Sequence, residues 1–439
     1  MKRFIINDLI EWQKQSGRKP LILQGARQVG KSYIVNTLLK EHFKSFVEIN
    51  FERRPDLISI FEGDLDPKQI VMKLETILRT KIVPGETLLF LDEIQAAPRV
   101  LTALRYFYEE MPALHVIAAG SLLQFALDKV GVPVGRVTFR WVSPLTFEEF
   151  LANSDNDGFL RLLEAHDLTT SLGTTLHQTG LDLLAEYMAV GGMPEVVNHL
   201  ISKRDYLGSE AKQLDILEAF RNDFPKYANI DSNLRDVGLV FERAPHLVAQ
   251  SFKFVHVSRD VQAKYIRAAI SALHKAGVLN LVYQSHNIQA AASYNAEKFK
   301  LLFLDLGLVQ RATNLPIAEW LKNRYALLTQ GALAEQFIGQ QLSAQGTYRR
   351  EELYYWERNE KSSSAEVDFL VSIRDQTFPV EVKSGKHGKL RSLNLLLDAN
   401  PDIPYAVKTS TDDFTVINRI RSVPLYAFGT WLKRNSIYE

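Results

Sequence analysis

The stretch that decides the architecture is Pro20-Leu-Ile-Leu-Gln24 followed at once by Gly25-Ala26-Arg27-Gln28-Val29-Gly30-Lys31-Ser32. The first five residues read as a buried strand, the glycine-bracketed segment as a turn, and Lys31 to Lys40 as a helix. Gly25 and Gly30 permit backbone angles that aim successive N–H groups inward. Lys31 can reach the β- and γ-phosphates of a nucleotide, and the Ser32 hydroxyl is the right ligand for Mg²⁺. The helix that starts there adds its positive N-terminal end to an anion site. Gly25 through Ser32 are therefore the candidate nucleotide cradle, with Arg27 turned either to phosphate or to solvent.

Outward from this stretch, Phe46-Val-Glu-Ile-Asn-Phe51, Thr87-Leu-Leu-Phe-Leu91, His115-Val-Ile-Ala-Ala119 and Thr138-Phe-Arg-Trp-Val142 are further short apolar runs, with amphipathic segments between them. Runs that lack polar alternation suit strands covered on both faces. The expected fold is thus α/β, a parallel sheet with helices on both faces, of the P-loop NTPase class. The third run ends in Asp92-Glu93, carboxylates at a strand's C-terminal end, where open α/β sheets bind ligands. Asp92 is expected to hold Mg²⁺ through water. Glu93 is the candidate general base for the attacking water. Ser121 stands where a polar sensor of the γ-phosphate would sit, the bland alternative being a strand-end turn. Arg136 is the candidate for stabilising γ-phosphate charge, in cis or across a subunit boundary, against an ordinary ion pair. The cofactors expected are ATP and Mg²⁺.

The 439 residues are too many for one core. Lys plus Arg number 52 against 51 Asp plus Glu, so no global field steers the chain to nucleic acid or anionic lipid. The absence of Cys excludes disulfides and thiolate metal sites. No signal peptide and no membrane-length apolar run is read, so the expectation is a soluble cytoplasmic protein with no membrane partner.

Residues 147–226 read as helical, broken at Gly191-Gly192-Met193-Pro194. Val257 to Val261 is expected to start one helix and Tyr265 to Ala276 to form a second. Gly277 is the stop and Val278 to Val282 a strand, the order a winged helix-turn-helix would give. Lys264, Arg267, His274 and Lys275 would be that second helix's polar residues toward DNA. A helix over 333–342 then leads into strands at 353–356, 366–371 and 378–383, with Ser362 to Ser364 read as a turn.

The markers together resemble prokaryotic AAA-type ATPases of the archaeal-ATPase-like branch. They are Gly25 to Ser32, Leu91-Asp-Glu-Ile-Gln95, Ala119-Gly-Ser-Leu-Leu123, Gly135-Arg136, Pro144-Leu-Thr-Phe-Glu-Glu-Phe150, Gly191 to Glu195, Gly331-Ala-Leu-Ala-Glu335, Glu366-Val-Asp368 and Val380-Glu-Val-Lys383. One departure is Gly120-Ser121-Leu122, where members often carry a second small hydroxyl residue. The resemblance implies an ATPase domain over 1–150, a helical region over 151–240, a winged-helix-like module over 241–320 and a PD-(D/E)XK nuclease-like domain over 321–439.

Without the resemblance, the C-terminal residues still form a pattern. Glu381 and Lys383 lie two apart on an apolar strand and so share a face. A hairpin would bring Asp368 beside Glu381, and Glu335 on the preceding helix is a further candidate ligand. Two carboxylates can share a hard cation, and an adjacent Lys can polarise a phosphate or a water. Lys383, Lys386, His387, Lys389 and Arg391 would suit a phosphate backbone, or equally a solvated loop. The readings carried forward are an ATP-driven switch or motor controlling a nuclease-like domain on DNA, or a regulatory ATPase whose C-terminal domain is a catalytically dead module for protein partners. A homo-oligomer is compatible with either.

Overall fold

The structure, a computed structural model, describes residues 1–131, 135–227, 233–288, 293–324, 328–346, 350, 352–358, 365–383 and 390–436. The first third contains helix α1 (Ile5–Lys14), strand β1 (Leu21–Gln24) and helix α2 (Lys31–Tyr33). It continues with β2 (Ser45–Asn50), α3 (Pro67–Leu78), β3 (Thr87–Asp92), α4 (Arg99–Glu110), β4 (His115–Ala119), α5 (Leu123–Val130) and β5 (Thr138–Trp141). The expected single helix from Lys31 runs on from α2 through a π-helical segment (Ile34–Leu39) and a 3-10 turn (Lys40–His42).

All five strands pair in parallel, in the order β2-β3-β4-β1-β5. Alternate residues feed two cores on opposite faces. Ile22, Leu89, Leu91, Val116 and Ala118 enter one, and Leu21, Leu23, Leu88, Phe90, Ile117 and Ala119 the other. Successive strand side chains point to opposite faces, so a sheet covered on both sides needs runs that are apolar throughout. Each large aliphatic side chain so buried contributes about 1.5–3 kcal/mol.

Helices α6 (Phe147–Asn153), α7 (Asp157–Ala165), α8 (Thr174–Val190), α9 (Pro194–Lys203), α10 (Tyr206–Asn222) and α11 (Phe224–Tyr227) follow. A reciprocal Thr146–Glu149 cap starts α6. The helix pair of the next module is α12 (Leu234–Arg243) and α13 (Ala263–Lys275). The helix expected from Val257 is a correction: the Ser258 hydroxyl accepts from the Asp260 and Val261 amides (3.1 and 3.3 Å), holding a turn where a helix would compete for those donors.

The hairpin β6 (Leu279–Ser285) and β7 (Tyr294–Phe303) comes next, then α14 (Leu306–Ala312), α15 (Ile317–Lys322) and α16 (Gly331–Ser343). The remainder comprises β8 (Leu353–Glu357), β9 (Glu366–Val367), β10 (Phe369–Ile373), β11 (Gln376–Val382), α17 (Arg391–Ala399), β12 (Ala406–Ser410), β13 (Thr415–Ile417), β14 (Ile420–Pro424) and α18 (Phe428–Ser436).

The continuous strand expected over 366–371 is broken at Asp368, and the break has a topological cause. β9 belongs to a four-stranded sheet ordered β7-β6-β8-β9, whereas β10 belongs to a five-stranded sheet ordered β10-β11-β12-β14-β13. The chain changes sheets at Asp368. Because β6 pairs in parallel with β8, the hairpin and the C-terminal strands share one sheet. A single apolar cluster also runs from Leu122 in the first third to Leu432 in α18. The turn read at Ser362 to Ser364 lies outside the described residues. Among the described residues, no helix is long and apolar enough to cross a membrane.

Candidate functional site

The candidate nucleotide cradle, Gly25 to Ser32, lies at the C-terminal edge of the first sheet, immediately after β1. Gly25 has φ +140° and Gly30 φ +92°, and a Cβ at Gly25 would lie 2.2 Å from the Val142 carbonyl oxygen. Only glycine fits there. Arg3, buried at the start of the chain, braces the loop: its Nη1 donates to the Val29 carbonyl (2.8 Å), its Nη2 to the Ser143 carbonyl (2.6 Å) and its Nε to Glu149 (3.1 Å).

Lys31 Nζ donates to the carbonyls of Gly25 (2.9 Å) and Ala26 (2.8 Å). Its burial lowers the ammonium pKa to about 8, against the opposing pull of Glu93 and Asp92. A buried cation with only neutral acceptors in contact is poised for an anion. The Ser32 hydroxyl donates to Asp92 Oδ2 at 2.9 Å, so the two residues expected to hold Mg²⁺ converge. Burial, then repulsion from Glu93, raises the Asp92 carboxyl to about 6. A hydroxyl beside a buried carboxylate fits a hard divalent cation with few protein ligands. Among the described residues, no group of three or more His, Cys, Asp and Glu side chains is arranged to hold a metal ion.

Glu93 follows β3 with φ +54°, which turns its side chain out of the strand. Two neighbours that the sequence reading did not assign fix this carboxylate pair. Gln95 Nε2 donates to Glu93 Oε2 (2.6 Å), and Asn50 Nδ2 at the end of β2 donates to Asp92 Oδ2 (3.2 Å). Gln95 was visible as part of Leu91 to Gln95, but nothing in its spacing revealed that partner. Ser121 follows β4 on the same sheet edge.

Arg136 does not join this group. It precedes β5, whose Thr138 is in register with Leu21 at the start of β1. Arg136 therefore sits at the N-terminal edge, opposite the cradle, where its Nε pairs with Glu109 at 2.6 Å. Arg27 is ion-paired with Asp223, a buried residue between α10 and α11.

Gly277 connects the cradle to the middle of the chain. The Gly277 amide donates to His274 O and the Val278 amide to Leu273 O (both 2.9 Å), closing α13 in a Schellman motif at φ +80°. A Cβ on Gly277 would stand 3.1 Å from both Ala26 Cβ and Ala26 N. The end of α13 thus rests directly on the cradle. On α13 itself, His274 faces inward, with Arg350 Nη1 at 3.1 Å from its Nδ1 and burial lowering its pKa to about 3. Arg267 is paired with Glu297 of β7 at 2.8 Å.

In the C-terminal part, β10 and β11 pair antiparallel with Phe369 opposite Val380, which carries Asp368 to the level of Glu381. Asp368 Oδ2 accepts from the Val382 amide at 2.8 Å, and Lys383 pairs with Glu381. Glu335 comes in from α16. At the centre, however, is a side chain that the sequence reading did not consider. Lys300 Nζ, on β7, lies 2.7 Å from Glu335, 2.6 Å from Glu366 and 3.5 Å from Asp368. It is 2 % exposed and lies over the Tyr355 ring at 5.2 Å. Burial alone would lower its pKa, but Glu335, Asp368 and Glu366 together hold it above the ordinary lysine value. Burial followed by Asp368 raises Glu381 to about 7, and the same pair of causes raises Glu335. The one available signal was a lysine inside the apolar run Phe299-Lys300-Leu-Leu-Phe303. Lys386, His387 and Lys389 of the basic cluster lie outside the described residues.

With this geometry in place, residues 17–151 match the AAA domain family. The N-terminal third is a P-loop ATPase domain of the AAA type. Residues 181–318 match a domain of unknown function (DUF8612), and residues 330–428 match another (DUF4143). No curated protein matches the chain. Among solved structures the chain is similar to the Walker-type ATPase of Pyrococcus abyssi, at 15 % identity and a TM-score of 0.42, over 70 % of this chain and 94 % of that one.

Proposed function

We propose that the chain is an Mg²⁺-dependent ATP-driven switch whose hydrolysis site controls a nuclease-like C-terminal unit acting on DNA. The observation that carries the hydrolytic half is the convergence of Lys31, Ser32, Asp92 and Glu93 on one sheet edge, with Glu93 held by Gln95. In this reading the loop amides and Lys31 bind the phosphates, Ser32 and Asp92 hold Mg²⁺, and Glu93 takes a proton from the attacking water. The metal, when bound, neutralises charge on the phosphates. Arg27, freed from Asp223, is a further candidate for phosphate contact, and Ser121 for sensing it.

The route to the C-terminal unit is supported by the packing of Gly277 on Ala26, because Gly277 leads directly into β6 and the hairpin that bears Lys300. The α12–α13 pair followed by that hairpin supports the winged-helix reading. The helix–strand order from α16 to β12, with Asp368, Glu381, Lys383 and Glu335 together, supports the nuclease-like one. A second reading, a catalytically silent module for protein partners, is favoured by one observation: Lys300 already stands between Glu335, Glu366 and Asp368 as an ion-paired ammonium.

Glu93→Gln tests the hydrolytic half. It should retain ATP affinity while turnover falls on the order of 10²–10⁴-fold, and turnover within a few-fold of the unmodified protein refutes the assignment. Gel shifts with single-stranded, duplex and branched DNA, with and without ATP, test the output. ATP-independent failure to bind all three, with no cleavage in Mg²⁺ or Mn²⁺, leaves the protein-partner reading.

A further inference from the structure

We propose that Arg27 is the side chain that meets the γ-phosphate within one chain, and that Asp223 holds it in reserve until a nucleoside triphosphate binds. The inference rests on the reading of Gly25 to Ser32 as a phosphate cradle. It adds which guanidinium answers the γ-phosphate and what restrains it.

Phosphoryl transfer spreads negative charge over the γ-phosphate oxygens, and a positive group placed there lowers the barrier. Arg136 lies at the opposite sheet edge, paired with Glu109. The buried Arg3 has all three guanidinium nitrogens engaged in bracing the loop, on Glu149, Val29 and Ser143. Arg27 differs from both. It belongs to the loop itself, four residues before Lys31, and its side chain is 40 % exposed. Its charge adds to burial in lowering the Lys31 ammonium, and its own pKa is raised by Asp223 first and then by Glu93 and Glu52. The guanidinium thus already lies in the field of the groups placed around the phosphates.

The restraint is built for release. The Asp223 side chain is only 6 % exposed and carries two cations, Arg27 on Oδ2 and Lys226 on Oδ1, the latter at 3.1 Å. Removing one partner from a buried pair is costly when it leaves the other charge alone. Here Lys226 stays behind, so Arg27 can leave without orphaning the carboxylate. Rotation of the Arg27 side chain then exchanges one anion, Asp223, for another, the γ-phosphate. The exchange is felt beyond the loop, because Asp223 stands between α10 and α11. Tyr227, at the end of α11, is buried and stacks on Phe125 of α5, with centroids 6.3 Å apart and planes at 5°. That helix follows Ser121, so a single ion pair ties phosphate occupancy to the helical region.

The test is calorimetric titration of the full chain with ADP and with β,γ-imido-ATP, both with Mg²⁺, and turnover is measured alongside. The variants are Arg27→Ala, Asp223→Asn and the two combined. Preference for the triphosphate over ADP should fall about tenfold in Arg27→Ala and rise about fivefold in Asp223→Asn, with no rise in the double variant. Turnover in Arg27→Ala should fall on the order of 10²–10³-fold. A merely structural pair would weaken both nucleotides alike and leave the ratio unmoved. Should Asp223→Asn fold poorly, Lys226→Met reads the same restraint with the opposite sign: Asp223 then has Arg27 alone, and the preference should fall about fivefold. An unmoved preference in Arg27→Ala, or turnover within about threefold of the unmodified chain, overturns the assignment of Arg27 and leaves the cradle standing. An unmoved preference in both Asp223→Asn and Lys226→Met overturns the restraint. Failure of the unmodified chain to bind either nucleotide refutes the cradle itself and this proposal with it.

Discussion

Gly277→Ala is a perturbation far from the phosphate cradle in sequence whose effect should be felt inside it. The position has φ +80°, and adding a Cβ there costs about 1–2 kcal/mol from backbone sterics alone. Gly85 provides an internal control. It has φ +85°, and a Cβ there would meet nothing within 4 Å. Gly85→Ala should therefore lose about the same stability and nothing else. At Gly277 the new methyl would stand 3.1 Å from Ala26 Cβ and Ala26 N, so the loop or the end of α13 has to yield by a few tenths of an ångström. If the cradle yields, its amides no longer point at one place, and a loss of roughly 1 kcal/mol in phosphate binding corresponds to about fivefold in Kd. The assay pairs urea denaturation with calorimetric titration of a non-hydrolysable ATP analogue for both variants. The expected pattern is equal destabilisation, with weakened nucleotide binding only in Gly277→Ala. Unmodified affinity in Gly277→Ala would refute the claim that the middle of the chain biases the cradle.

Two further outcomes follow from the first sheet. Burial raises the Asp92 carboxyl from 3.8 to about 6, so it stabilises the nucleotide-free fold only while protonated, fully below pH 4 and not at all above pH 6. Metal-free Asp92→Asn should therefore exceed the unmodified protein in stability by about 2–3 kcal/mol at pH 8, with the gap closing toward pH 4. A pH-independent gap in chemical denaturation would contradict this. Arg136 lies at the edge opposite the cradle and pairs with Glu109, so any catalytic role must be across a subunit boundary. Mixing Arg136→Ala with Lys31→Ala chains should restore part of the ATPase activity, and failure of every mixture makes Arg136 an ordinary surface ion pair.

What the sequence determined by itself is local. Three uninterrupted apolar runs, those of β1, β3 and β4, dictate a sheet centre covered on both faces, because alternation would leave polar groups in one core or the other, while the runs with Glu48, Asn50 and Arg140 become the edge strands β2 and β5. Gly25 to Ser32 fold as strand, loop and helix start within a single contiguous segment, so residue types at fixed offsets suffice to define the cradle. Asp92 and Glu93 were legible for the same reason: the end of a buried strand in a parallel sheet is already at the ligand-binding edge. Asp368 and Glu381 were brought to one level by a local hairpin, which spacing along the chain foreshadows.

Only the tertiary structure decided the rest. Which edge of the sheet Arg136 occupies depends on the register of β5 on β1, and the residue itself carries no mark of it. That Asn50 holds Asp92 depends on β2 lying beside β3. Lys300 reaches Glu335, Glu366 and Asp368 across 35 to 68 positions of chain, from a strand in one sheet to a residue where the chain enters another. Ion pairs of that kind form at whatever points two separately folded surfaces bring together. Their partners are set by sheet order and packing, neither of which is encoded in the spacing of neighbouring residues.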